Sequence, residues 1–200
     1  LAGNSILRNS IFANGGLGID LGDNGFTDND VPANLDADAG PNNLQNFPLL
    51  ATANIVSTTQ IRVSGTLNST PFAFGASFSI EFFSNSAADA SGNGEGQTFL
   101  GSTVAFTNAS GDASFTTTLT ASVPAGSFIS ATATRYNFFF PTDTSEFSNT
   151  VVVTNTAPVL DASKSPAFGT INEDAVAPIG AVGTLVSSLV DPTSGSGLDN

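Results

Sequence analysis

Two hundred residues with 40% hydrophobic content are enough to fill one or two compact cores, and abundant Phe, Val, Ile and Thr beside one Tyr and no Trp favour pleated sheet over helix. Four Lys and Arg against 17 Asp and Glu give a net charge of −13, which excludes the clustered cations that nucleic acid requires and disfavours anionic membrane surfaces. The absence of Cys, Met and His removes disulfides, thiolate chemistry and the usual general base near neutral pH.

Residues 1–46 read as the end of a β-solenoid. Asn4-Ser5-Ile6, Asn9-Ser10-Ile11 and Asn14-Gly15-Gly16 recur at a constant spacing that turns one apolar residue inward per step. Gly15 to Gly22 fits either a β-helix corner or the calcium-binding nonapeptide of β-roll proteins, whose Asp would be Asp20. From Asp20 to Asn46 the periodicity gives way to a long Asp/Asn-rich loop. Its carboxylates, Asp20, Asp23, Asp28, Asp30, Asp36 and Asp38, alternate with small residues and lack basic neighbours, so Ca2+ is the expected cofactor; a solvated acidic loop is the bland reading. The pattern is not an EF-hand, because the closing Glu is missing.

Residues 51–155 carry alternating strand signals: Ile61-Arg62-Val63, Phe78 to Phe82, Leu100 to Phe106, Phe115 to Leu119, Ile129 to Ala133 and Phe147 to Val153. Asn68 to Pro71, Ser91 to Gly94, Ala109 to Asp112 and Pro124 to Gly126 supply turn chemistry between them. Short strands without a helical segment predict an antiparallel Ig-like β-sandwich. Three aromatics in a row at Phe138 to Phe140 cannot all point inward on one strand, so they are read as an interface or as packing at a strand end. Thr154 to Pro158 is a hinge, and residues 156–200 read as a partial β unit. The chain opens at Leu1 with no signal peptide, as a processed protein or an excerpt does, and no apolar run reaches the roughly 18 residues of a membrane helix.

Several stretches together resemble a family of large secreted multidomain bacterial proteins. Asn9 to Gly22 with Gly40 to Pro48 looks like the last coil and exit loop of a right-handed parallel β-helix; Gly92 to Gly101 and Thr144-Ser145-Glu146-Phe147-Ser148-Asn149 are similar to an Ig-like module. Asn155 to Val159 with Asn172-Glu173-Asp174 resembles the start of a cadherin-like repeat. The resemblance implies an all-β, extracellular, calcium-stabilised stalk, surface-layer element or filament subunit, with Glu173 and Asp174 as interdomain metal ligands. Its partners would be copies of itself or neighbouring β domains, joined by strand addition, and surface polysaccharide is a further candidate. Catalysis is not expected, although an accessory region of a polysaccharide-degrading enzyme is the alternative. A dedicated carbohydrate-binding module is disfavoured by the lack of Trp and the single Tyr.

Overall fold

The computed structural model describes residues 1–30, 36, 39–137 and 139–155. The partial unit expected over residues 156–200 lies outside them. A short 3-10 turn, Pro41–Leu44, precedes eight strands: β1 (Leu49–Ser57), β2 (Gln60–Asn68), β3 (Ser77–Asn85), β4 (Thr98–Phe106), β5 (Asp112–Thr120), β6 (Phe128–Asn137), β7 (Phe140–Thr144) and β8 (Val151–Asn155). No described helix is long and apolar enough to cross a membrane.

The strands form one mixed sheet in the order β4-β3-β6-β8-β1-β2-β5, with β7 paired to β6. The sheet is nearly closed into a barrel: its end strands β4 and β5 approach each other, but no ladder joins them. Closure turns on β8. Val151 and Val152 pair antiparallel with β6, after which Val153 to Asn155 pair parallel with β1, so one short strand passes from one half of the sheet to the other.

Period-two alternation fills the interior. Phe78, Ile80 and Phe82 of β3 meet Ile129, Ala131 and Ala133 of β6 and Ile61, Val63 and Leu67 of β2. The rings of Phe82 and Phe115 meet edge-on at 5.8 Å. Gly65 is required beside them, since a Cβ there would lie 2.7 Å from Phe115 Cζ and 2.5 Å from the Leu49 carbonyl oxygen.

The opposite face of β3 and β6 is buried as well. Ser79, Glu81 and Phe83, and Ser130, Thr132 and Thr134, are all buried: residues 1–30 lie against Glu81 and Phe83, while the 94–95 loop meets Ser130 and Thr144 meets Thr134. Ile19, Leu21, Phe83 and Phe147 form a second apolar cluster there, flanked by Ile6, Ile11, Leu44 and Phe99. The regular spacing of Ile6 and Ile11 does turn both inward, but onto the outside of this sheet. A solenoid coil needs parallel strand pairing, whereas residues 1–30 form no strand, and their one β-bridge is antiparallel, Ile11 with Gly96 in the loop before β4. Alternation does not mark β1 or β7. β1 is rich in small residues and buries only Leu50 and Ala53 fully, and its register shifts twice against β2.

Phe147 is the centre of the second cluster, packed edge-on against Phe83 at 5.4 Å. A Cβ on Gly96 would stand 2.7 Å from its ring, and one on Gly18 would stand 2.9 Å away. Gly96→Ala is expected to cost about 1–3 kcal/mol by overpacking, and Phe147→Ala roughly 3–5 kcal/mol by cavity formation. Urea unfolding measures both. Wild-type midpoints in both variants would mean that residues 1–30 do not rest on this ring.

Candidate functional site

A segment of 30 residues with no ladder of its own must find acceptors for its backbone amides wherever it is buried. Here the acceptors are carboxylates and amides presented by the sheet and its loops. Gly3 N donates to Asp143 Oδ1 at 2.6 Å, and Asn4 N to Asn42 Oδ1 at 2.9 Å. Ile6 N donates to Thr144 Oγ1 at 2.9 Å and Arg8 N to Glu81 Oε2 at 2.7 Å. Ala13 N and Asn14 N reach the two oxygens of Glu95 at 2.8 and 3.1 Å. Leu21 N and Thr27 N divide the two oxygens of Glu146 at 2.9 and 3.1 Å. A buried amide left without an acceptor would cost about 1–3 kcal/mol, so these acceptors fix the path that the segment takes.

The Thr144 to Asn149 motif is the hub. Ser145 Oγ accepts from Ala133 N and Ser148 Oγ from Ala131 N, both at 2.9 Å, so hydroxyls stand where a strand's carbonyls would. Asn149 does the same for β1, accepting from Leu50 N at 2.9 Å and donating to Leu50 O at 3.0 Å. Between them Glu146 and Phe147 point the other way, under residues 1–30. Asn42 closes the start of the chain: its Nδ2 donates to Asn4 O at 2.7 Å and to Thr144 O at 2.9 Å.

The five loop acids that are described do not gather. Asp20 is exposed, and its carboxylate accepts from Gly22 N, Asn24 N and Gly25 N at 3.1, 3.3 and 3.0 Å. Slight desolvation opposes its ionisation, but these amides outweigh it and hold the carboxyl below its ordinary value. Asp23 shares a recess of about 400 Å³ with Asp20, Asn4 and Asn42. Asp28 is exposed, and Asp30 N donates to Asn46 Oδ1 at 3.1 Å. Asp36 is buried, accepting from Ser69 Oγ at 2.7 Å and Thr70 N at 2.8 Å. Asp38, Glu173 and Asp174 lie outside the described residues. Among those described, no three acidic side chains come together around a point that could hold a cation.

Sequence reasoning missed Glu81, Glu95, Asp143 and Glu146 as structural acceptors. The strand alternation places Glu81 on the face opposite the core, where it reads as solvent-exposed, and nothing in the pattern signals that residues 1–30 cover it. Burial drives the carboxyls of Asp36, Glu81 and Glu146 above their ordinary values, against hydrogen bonds that pull them down; Asp20 adds to the rise at Glu146. Arg8 partly offsets the rise at Glu81, with Nε 4.0 Å from Oε1 and its guanidinium over the Phe99 ring at 5.7 Å.

No protein-family model and no curated protein matches the chain. Among solved structures, the sensor domain of the anti-sigma factor RsgI4 of Pseudobacteroides cellulosolvens is similar to it at 16% identity, with a TM-score of 0.30 over 55% of this chain and 94% of that one. A likeness at that level fixes neither activity nor partner.

A carboxyl raised on folding contributes stability that is fully present below its unfolded value and lost as pH rises through its folded value. Asp36, Glu81 and Glu146 therefore favour the folded state as pH falls from neutrality toward the ordinary glutamate value of 4.5. Asp20 and Asp89, held low, act oppositely: their contribution is lost only as pH falls further, through their lowered folded values. The melting temperature should rise on mild acidification and fall on strong acidification. Glu81→Gln keeps an acceptor for Arg8 N and removes the buried charge, so its profile should be flatter in the upper window. Identical slopes for wild type and E81Q would remove Glu81 from this account.

Proposed function

We propose that the chain is a structural or adhesive module of an extracellular protein, without a catalytic role, that holds a rigid shape and joins like or neighbouring β domains through its open sheet edges. The end strands carry this reading. β4 and β5 are nine residues each, free of Pro and uncharged apart from Asp112 at the start of β5; they approach each other across the seam of the barrel, but neither forms a ladder on its outer side with a described strand. Soluble monomers usually blunt such edges with Lys, Pro or inward charges. β4 instead exposes Val104 and Phe106, at 59% and 74% of their surface. A strand from a neighbouring chain can add there by β-augmentation, and contact of one molecule's β4 with the next one's β5 is heterologous, which propagates as a filament.

The parent architecture we envisage is the one the resemblance implies, with a β-helix before this barrel and a cadherin-like repeat after it. The buried carboxylates favour scaffold over enzyme: groups with raised pKa values often mark catalytic sites, but those of Glu81 and Glu146 accept amides of residues 1–30 and lie beneath them. Calcium held by the loop acids is the second part of the proposal, supported by the close spacing of Asp28 with Asp30 and of Asp36 with Asp38 and by the net charge of −13.

Electron microscopy and sedimentation across a concentration series test the edges. Wild type should form ordered filaments, and Val104→Lys or Thr116→Lys should leave monomers that melt at the wild-type temperature. A chain that stays monomeric at every concentration, with or without calcium, refutes edge assembly. Melting with calcium and with EDTA tests the metal: at a hundredfold excess over its Kd, a bound ion adds about 2.7 kcal/mol to the native state, and indifference to EDTA removes calcium from the proposal.

A further inference from the structure

We propose that the recess between the start of the chain and the β6–β7 hairpin binds the end of a neutral glycan; the inference rests on the adhesive reading above and supplies its ligand class. The recess holds about 710 Å³ and is lined by Gly3, Phe72, Arg135, Tyr136, Asn137 and Asp143, among others. Ligand sites for small molecules span roughly 300–1,000 Å³, so it has room for a terminal sugar and its neighbour.

The lining has the chemistry that a polyol needs. Sugar hydroxyls both donate and accept, and a binding site must answer with both kinds of group. Arg135 supplies a planar fork of donors, and the Tyr136 hydroxyl and Asn137 amide can each donate and accept. None of these three side-chain groups hydrogen-bonds or ion-pairs with another described residue. Asp143, by contrast, is engaged, with Oδ1 taken by Gly3 N and Oδ2 by Asn43 Nδ2 at 3.2 Å, so it positions the rim and keeps lone pairs to spare. Tyr136 and Phe72 present ring surface on which the C–H face of a pyranose can stack.

Charge selects a neutral ligand over an acidic one. The single guanidinium is balanced by the Asp143 carboxylate in the same recess, and the molecule's net charge of −13 repels polyanions at range. A cationic ligand would meet Arg135. An uncharged polyol meets neither barrier. The scarcity of aromatic residues other than Phe argues against an extended platform, but the one Tyr stands in this recess beside two further unengaged polar groups, Arg135 and Asn137, which suits the end of a chain better than its length.

NMR titration of labelled protein with cellohexaose, xylohexaose and maltohexaose, and with an oligogalacturonate as the anionic control, tests the idea. At least one neutral hexaose should shift the amides of Gly3, Tyr136 and Asn137, while the oligogalacturonate shifts none. Tyr136→Ala and Arg135→Lys should each weaken that binding about tenfold or more, a step of about 1.4 kcal/mol, with unchanged melting temperatures. The proposal is overturned if no neutral hexaose binds at about 10 mM, a concentration that detects even millimolar affinity. Shifts that fall elsewhere, variants that bind as wild type does, or binding of the anionic oligomer also overturn it. None of these outcomes bears on filament assembly, which the edge variants report separately.

Discussion

The structure depends on one constraint: the amides of a long irregular segment must be satisfied where water is excluded. Residues 1–30 cross a sheet face without strands of their own, and the sheet and its loops answer with carboxylate oxygens at Asp143, Glu81, Glu95 and Glu146. An ionised carboxylate suits this role because it offers several lone pairs and no competing donor. A neutral amide in its place would meet some of these N–H groups with a donor of its own. The apolar contacts of Ile6, Ile11, Ile19 and Leu21 supply adhesion, and the carboxylates fix the path.

This changes the meaning of the chain's acidity. Crowded negative charge with few basic residues suggests cations in the gaps. Among the described carboxylates, those of Asp20, Asp36, Glu81, Glu95, Asp143 and Glu146 accept backbone N–H groups, so the polypeptide itself answers part of that charge. Desolvation still acts on the buried members, which is why Asp36, Glu81 and Glu146 are harder to ionise than free carboxyls while exposed Asp20 is easier.

Legibility followed the range of the interaction concerned. The alternation of Phe78, Ile80 and Phe82 and of Ile129, Ala131 and Ala133 is a local property of the chain, and it identified both strands and their core face. The glycines at 92, 111 and 126, with φ of 83°, 88° and 85°, sit in the turns that their sequence marked. β7 was hidden by the aromatic run before it. Phe139 and Phe140 are exposed, and Phe138 lies outside the described residues. The candidate site was scarcely legible: of the described acids singled out beforehand, only Asp36 is buried among hydrogen-bond donors, while Glu81 and Glu146 gain their roles from partners 73 and 125 residues away.

By itself the sequence determined that this is a β protein, where most of its strands run and which side of each faces the core, because a period of two and the backbone preferences of Gly, Asn and Pro act over a few residues. The tertiary structure alone decided that the sheet nearly closes through β8, that the outer face of β3 is covered by residues 1–30, and that acids in the strands and their loops are acceptors for that covering segment. Those outcomes come from pairings between distant parts of the chain. No local pattern encodes them, since a Glu that faces water and a Glu that will be roofed by another segment occupy the same place in an alternating strand.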